Sequence, residues 1–472
     1  MREFDRFYIG GQWVEPEGEG HIDVVSASTE EVCGRVPRGN GADAEKAVAA
    51  ARAAFDGPWS ETSAEERAGW CEKLSAGLQE RMMDVASTVS EEVGTPISLA
   101  TAIQAGLPIA VAASFAESIR SAELERQVGN SLVVREPVGV IAAITPWNYP
   151  LHQIVAKVAP AIASGCTVAL KPSSDAPLNA FILAEVCDAI GLPAGVVNVV
   201  SGPGSEVGET MAGHDDVDMV SLTGSTAAGR RVMQLAANSI KRVHLELGGK
   251  SANVILEDAD IKRAVSAGVN NAYLNSGQTC SAWTRMVVPR SRQDEVLEVA
   301  QATLAKLKVG LSSDSEARLG PVISGKQRET VEGYIAKGKD EGARLVCGGG
   351  RPAEFDRGYF VEPTIFADVD NGMAIAQEEI FGPVLSVIPY DSEDEAVRIA
   401  NDTIYGLAGG VWAGDQDRAV AVARKIRTGQ VDINGGAFNP LAPFGGYKQS
   451  GVGRELGPFG LDEFFEIKSM AM

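Results

Sequence analysis

The pattern of apolar and polar positions changes character at Val138. Before it, apolar residues recur at helical spacing over 43–55 and again over 63–92, predicting one helix and then two more ahead of the break at Gly94-Thr95-Pro96. An alanine-rich helical run then leads to Glu117, and residues 131–137 read as a strand lying outside the pattern that follows, in a separate extension. After Val138, short apolar strands at 138–145, 167–170, 196–200 and 219–222 alternate with helices near 151–163 and 177–190. Such alternation predicts a sheet covered by helices on both faces, the open α/β layout that binds nucleotides. A second α/β unit starts near Ser251, with strands at 253–256 and 285–288 and helices at 261–274, 293–307, 391–401 and 415–427. Residues 314–320 are polar and bounded by glycine, which predicts a surface loop. In the tail, 461–469, Phe464 and Phe465 stand among charges, as in a terminal strand that pairs best with another subunit or domain.

Bulk properties narrow the function classes. A chain of 472 residues is too long for the usual single core, so two or three domains are expected. Its 45% apolar and 22% charged residues fit a folded globular protein, and many of its 52 glycines close apolar runs. A net charge of -21 argues against a nucleic-acid surface, which needs clustered Lys and Arg. Residues 1–12 lack the apolar core of a secretion signal, and the apolar region 138–169 is broken by Pro146, Asn148, His152 and Lys157. No membrane span is therefore expected, and the protein reads as cytoplasmic. Cys33, Cys71, Cys166, Cys187, Cys280 and Cys347 show no CxxC spacing, which suits a reducing compartment. With four histidines and no HExxH, a catalytic metal is not expected.

Candidate chemistry centres on Cys280, set after Gly277 in a polar loop just before the strand at 285–288. Such a loop can present a thiolate nucleophile; a buried structural cysteine is the plain alternative. Glu246, on an apolar stretch before Gly248-Gly249, has the setting of a desolvated general base, or of an ordinary paired carboxylate. His244 lies two residues earlier, so on an extended segment it shares a face with Glu246, and either can approach Cys280. Asn148 follows a strand and precedes a helix, where its amide can hold an oxyanion or cap the helix. Gly202-Pro203-Gly204-Ser205, with Gly208 nearby, and Leu222-Thr223-Gly224-Ser225-Thr226 both follow apolar strands and can offer backbone N–H groups to a phosphate, though neither is GxGxxG. Lys171, at a strand end, can reach a ribose hydroxyl or phosphate.

Taken in order, Pro146-Trp147-Asn148, Lys171-Pro172-Ser173, Thr223-Gly224-Ser225-Thr226, Glu246-Leu247-Gly248-Gly249-Lys250, Gly277-Gln278-Thr279-Cys280, Glu379-Ile380-Phe381-Gly382-Pro383 and Pro443-Phe444-Gly445-Gly446-Tyr447-Lys448 give a specific signal. The chain resembles the aldehyde dehydrogenase superfamily across essentially its full length. That resemblance implies an α/β protein with a Rossmann-like cofactor domain at 1–117 and 138–247, oligomerisation strands at 118–137, and an α/β catalytic domain at 248–440. A return segment at 441–456 and an oligomerisation tail at 457–472 complete it, in a homodimer or homotetramer.

The resemblance also implies roles. Cys280 would attack the aldehyde carbon, Asn148 and the Cys280 N–H would hold the oxyanion, and Glu246 would activate water against the resulting thioester. Lys157 matches a family lysine near the water path. Thr145, Pro146, Trp147, Lys171, Ser173, Ser174, Gly204, Gly208, Thr223, Gly224, Ser225, Leu247, Gly248, Glu379 and Phe381 would form the cofactor site, with Lys171 and Glu379 at the two riboses and Phe381 near the nicotinamide. NAD is the expected cofactor, but Ser174 stands where NAD-preferring members often carry a Glu that repels a 2′-phosphate, which opens the site to NADP; Asp175 next door restores some repulsion. Tyr149, Phe438, Phe444, Thr279 and Ser281 would line the substrate pocket and favour an apolar or aromatic aldehyde, with Arg285 and Arg454 as candidates for a carboxylate-bearing one. Transfer of the acyl group to coenzyme A, a Cys-dependent hydrolase using His244, and a non-catalytic structural protein are the competing readings.

Overall fold

Strands Val140–Ile144, Thr167–Lys171 and Met219–Thr223 are buried along nearly their whole length, as parallel strands between two helical layers must be. The computed structural model describes residues 1–472 and places these strands in an eight-stranded sheet. Its central parallel strands run in the order Arg242–Glu246, Met219–Thr223, Val140–Ile144, Thr167–Lys171, Val197–Val199. Chain order reverses between Val140–Ile144 and Met219–Thr223, and this switch point opens a crevice at the carboxyl ends of the strands. Alternate residues feed two cores: Ile141 and Ala143 pack with helix Pro150–Ser164, whereas Val140 and Ala142 pack with helix Gly41–Phe55.

Antiparallel strands that the sequence pattern did not reveal close this sheet at both edges. On one side lies the hairpin Phe7–Ile9 and Gln12–Val14, and on the other Gly451–Val452, paired through Glu246↔Gly451. Segments this short hold too few alternations to register as a pattern.

A second sheet of seven strands runs Arg344–Cys347, Thr364–Ala367, Val384–Tyr390, Arg285–Pro289, Ala252–Ile255, Gly409–Trp412, Asp432–Ile433, and is parallel except for its first strand. The predicted surface loop at 314–320 is a loop with Ser315, Glu316 and Arg318 exposed, anchored by the buried Ala317, Leu319 and Gly320.

The tail forms the expected terminal strand, and its partner is the extension strand at 131–137 of the same chain. It forms a short helix, Gly457–Asp462, and then strand Phe465–Ala471, which pairs antiparallel within its own chain with Ser131–Pro137 through Phe465↔Pro137. Glu125–Val128 completes this three-stranded sheet.

Contrary to the expectation of no span-length apolar run, one helix is long and apolar enough to cross a membrane by length and composition. Helix Ile97–Ser121 has 25 residues and contains an 18-residue stretch with a mean hydropathy of 1.6. Here it is a core helix: it packs against Ala64–Glu80 and Pro150–Ser164, with Val111, Phe115 and Ile119 buried.

Candidate active site

After helix Ile261–Ala272 the chain makes a tight turn, Leu274–Gly277, in which Asn275, Ser276 and Gly277 all adopt the left-handed conformation at φ 52, 58 and 76. Asn and Gly tolerate that region and Ser does so poorly. The strain is held by bonds to distant segments: Ser276 Oγ donates to the Gly320 carbonyl at 2.8 Å and Asn275 Nδ2 to the Asn148 carbonyl at 3.0 Å. Gly277 has a second reason to be glycine, since a Cβ there would stand 2.1 Å from the Gly382 carbonyl oxygen. Beyond the turn, the Gln278 amide donates to the Asn275 carbonyl at 3.1 Å and accepts from the Ile323 N–H at 2.8 Å. Cys280 emerges half-buried on the wall of a cavity.

Asn148 is not a helix cap. Helix Pro150–Ser164 has Tyr149 at its N-cap and no side-chain cap bond, whereas Asn148 Nδ2 donates across to the Gln278 carbonyl at 3.0 Å. The Asn148 carbonyl accepts from Gln104 Nε2 at 2.8 Å as well as from Asn275, and Thr95 Oγ1 donates to Asn275 Oδ1 at 2.7 Å. Gln104 and Asn275, the latter held by Thr95, thus fix the Asn148 backbone, while its side-chain amide is held by the Gln278 carbonyl two residues before Cys280, a positioning role that no motif in the sequence announced.

Glu246 ends strand Arg242–Glu246 with both carboxylate oxygens buried and unpartnered. Burial lifts its carboxyl well above the usual range, the charge of Glu455 adds to this, and Lys157 opposes it. His244 shares the face of Glu246, its Nε2 3.7 Å from Glu246 Oε1, while its Nδ1 meets Ser221 Oγ at 3.1 Å. Burial pushes His244 down to about 4, so the ring is neutral near pH 7. Lys157, fully buried, donates to Thr223 Oγ1 at 2.7 Å and to Glu455 Oε1 at 2.5 Å. Burial opposes the charge on Glu455, but the Lys157 ammonium outweighs it and holds the carboxyl below its usual range. Cys280 departs from the exposed thiolate that the polar loop suggested: burial raises its thiol, and the carboxyls of Glu379 and Glu246 raise it further.

The cavity has a volume of about 510 Å³. Tyr149, Phe438, Phe444, Thr279 and Ser281 all line it with Cys280, and the Tyr149 hydroxyl meets Thr279 Oγ1 at 2.7 Å. Sequence reasoning missed His152, Trp283, Gln430 and Asp432 on the same wall. Arg285 and Arg454 do not line it. The Arg285 guanidinium is buried against the carbonyls of Lys250, Ile399 and Ala400, and Arg454 Nη1 donates to the carbonyls of Gly446 and Gly453.

The remaining predicted residues gather along the carboxyl ends of the first sheet and the facing edge of the second. Thr145 N–H donates to the Lys171 carbonyl at 3.1 Å, and Pro146 leads into Trp147, which sets its ring edge-on to Phe381 at 5.3 Å. Lys171 Nζ has the adjacent Pro172 carbonyl at 2.8 Å, and burial lowers its ammonium to about 8 against the pull of Asp175. Ser173 Oγ accepts from the Asp175 N–H at 3.2 Å, and Ser174 Oγ donates to the Gly202 carbonyl at 3.1 Å. Gly204 lies exposed at the start of the turn Gly204–Gly208, and Gly208 packs on the Lys171 stem. Ser225 caps helix Thr226–Ala236, accepting from the Ala228 N–H at 3.2 Å, beside Gly224. Thr223 turns inward to Lys157 instead. Leu247 packs over Gly229, and Gly248 leaves no room for a Cβ because the Glu379 carboxylate would lie 2.2 Å away. Glu379 Oε1 accepts from the Gly249 N–H at 3.0 Å, and burial lifts its carboxyl to about 7.

Residues 13–470 match the family model described as the aldehyde dehydrogenase family. The chain belongs to that family. Among curated relatives, a 3-succinoylsemialdehyde-pyridine dehydrogenase of a Pseudomonas species is 48% identical over 472 residues, covering 100% of this chain and 99% of the relative. A mutant of aldehyde dehydrogenase C from Pseudomonas syringae, complexed with NAD+ and octanal, superposes with a TM-score of 0.98 at 48% identity, over 99% of this chain and 96% of that one. The Mycobacterium tuberculosis aldehyde dehydrogenase complexed with NAD+ gives 0.98 at 47% identity, over 100% and 98%. This aldehyde dehydrogenase is an oxidoreductase with an aldehyde as its substrate, and its relatives favour neither the coenzyme A-acylating reading nor the Cys-dependent hydrolase.

Proposed function

We propose that this chain oxidises an apolar or aromatic aldehyde to its acid with NAD, through a covalent adduct on Cys280. The observation that carries the reading is Cys280 on the wall of an aromatic-lined cavity, with the buried Asn148 amide bonded to the Gln278 carbonyl two residues before it and an unpartnered Glu246 carboxyl close enough to raise the thiol. Cys280 loses its proton and attacks the aldehyde carbon, and the Asn148 Nδ2 and Cys280 backbone N–H stabilise the oxyanion of the thiohemiacetal. The chemistry a bound nicotinamide supplies is hydride acceptance, which takes that carbon to the thioester level. Glu246, once ionised and turned towards Cys280, removes a proton from water as it attacks the thioester; the C–S bond then breaks, releasing the acid and returning Cys280 as the thiolate. Lys157 stabilises the anionic charge of Glu455 beside it and opposes the upward shift of Glu246.

Groups along the crevice fit a dinucleotide. Lys171 offers a buried ammonium whose one partner is a carbonyl, Gly204 and Ser225 lie exposed at the starts of helical turns, and Glu379 offers a carboxylate to a ribose. Thr145, Pro146, Trp147, Ser173, Gly208, Gly224, Leu247, Gly248 and Phe381 shape the walls. NAD ranks ahead of NADP because Asp175 sits next to Ser174 with Lys171. The first sheet serves as the cofactor unit and the second as the catalytic unit. Sheet Glu125–Val128, Ser131–Pro137, Phe465–Ala471 serves as the oligomerisation surface of a homodimer or homotetramer.

The test follows formation of reduced nicotinamide with aliphatic and aromatic aldehydes, each paired with NAD and with NADP. Cys280→Ala should abolish turnover while NAD binding, read by calorimetry, stays within about threefold of wild type. Residual oxidation in that variant would remove the mechanism.

A further inference from the structure

Two turns of strained backbone interlock between the cavity and the crevice. One is Leu274–Gly277, which leads to Cys280. The other is Phe381-Gly382, where Phe381 has φ 56, a left-handed conformation that bulky residues rarely adopt. The two meet at the Gly382 carbonyl, whose oxygen would lie 2.1 Å from a Cβ on Gly277. On the other side a Cβ on Gly382 would stand 2.3 Å from Val331 Cγ2, so the second turn is wedged between the first and helix Gly325–Asp340.

The start of that helix bonds to both turns. The Ile323 N–H donates to Gln278 Oε1 at 2.8 Å, and Gln327 Nε2 donates to the carbonyls of Ile380 at 3.1 Å and Phe381 at 2.9 Å. Ser324-Gly325-Lys326-Gln327 has the spacing of a capping box, and Ser324 Oγ accepts from the Gln327 N–H at 3.2 Å. The Gln327 side chain does not return the bond to Ser324 but goes to the strained turn instead. Glycine at 381 would take the left-handed conformation without strain. Phenylalanine needs a clamp, and what the clamp preserves is the direction of a ring that meets Trp147 edge-on at 5.3 Å.

We propose that Gln327 is a positioning residue for hydride transfer: it holds Phe381 left-handed and so keeps the cofactor crevice in register with the turn that carries Cys280. This rests on the crevice being the nicotinamide site. Gln327 does not line the aldehyde cavity, so its loss acts on the approach of cofactor to adduct, where small displacements are costly in rate.

Gln327→Met keeps the length of the side chain and removes its donor. With saturating NAD and aldehyde, stopped-flow absorbance should show the first burst of reduced nicotinamide slowed by about tenfold or more. An aldehyde deuterated at its carbonyl carbon should give a larger isotope effect on that burst than in wild type. NAD affinity by calorimetry should stay within about threefold, and a crystal structure of the variant should show Phe381 out of the left-handed region. Gln327→Glu, whose carboxylate would face two carbonyls, should slow the burst at least as much. A burst within about twofold of wild type in both variants, a loss confined to NAD affinity, or Phe381 still left-handed in Gln327→Met would overturn the proposal while the crevice assignment stands. No reduced nicotinamide from wild type with any aldehyde would overturn both.

Discussion

A carboxyl group buried with neither oxygen partnered, as in Glu246, is stable only as the neutral acid, and a base must be ionised to act. Its proton is lost only as pH rises past the elevated value, so turnover limited by thioester hydrolysis should climb from neutral into alkaline pH. Glu246→Gln should slow that hydrolysis about a hundredfold or more, remove the alkaline climb and keep the first burst of reduced nicotinamide, as stopped-flow absorbance would report. Glu92 obeys the same physics without catalysis. It is fully buried, accepts from the Leu178 N–H at 3.2 Å and Asn179 Nδ2 at 2.7 Å, and burial lifts it to about 8. The folded state holds this proton while the unfolded chain, at an ordinary carboxyl value, releases it. Stability therefore falls as pH rises from about 4.5 to about 8, then levels off. Glu92→Gln keeps an acceptor for Leu178 and can donate to Asn179 Oδ1, which lacks a partner. It should be more stable than wild type by on the order of 3 kcal/mol at pH 8 and nearly equal at pH 5, read by thermal melts. Cys280, Glu246 and Asn148 were legible in the sequence because each belongs to a motif with its own chemistry. Glu455 was not, since its partner Lys157 lies 298 positions away and neither residue marks the other.

At the scale of elements, the strands from Val140 to Thr223 were legible because sheets covered on both faces demand continuous apolar runs, whereas Arg242–Glu246, with Arg242, His244 and Glu246 in five residues, offers no such run. Helix Gly325–Asp340 was not: Val331, Tyr334 and Ile335 are nearly its whole apolar stripe, and Gly333 and Gly338 interrupt it. The turn Leu274–Gly277 could be recognised by motif but not by conformation, because its left-handed residues are stabilised by Gly320 and Asn148, which lie far away in sequence. Gly277→Ala meets both the positive φ and the Gly382 carbonyl. It should cost about 2 kcal/mol or more in stability and reduce kcat more than it changes NAD affinity, because the displaced turn carries Cys280.

The molecule as a whole ends in an edge. Phe465–Ala471 is the outer strand of the small sheet, its Ile467 is 71% exposed and Met472 follows at 76%. A lysine there blunts the edge; with this strand as the oligomerisation surface proposed above, Ile467→Lys should shift the protein to a smaller assembly in light scattering, with secondary structure intact by circular dichroism. Helix Ile97–Ser121 has a different consequence, in the order of synthesis. Its partner Ala64–Glu80 leaves the ribosome before it, but Pro150–Ser164 leaves after, so a nascent chain of about 120 residues displays a segment apolar enough for a bilayer with one side still uncovered. During that interval the uncovered face is free to associate with other apolar surfaces, an exposure that ends when Pro150–Ser164 docks on it.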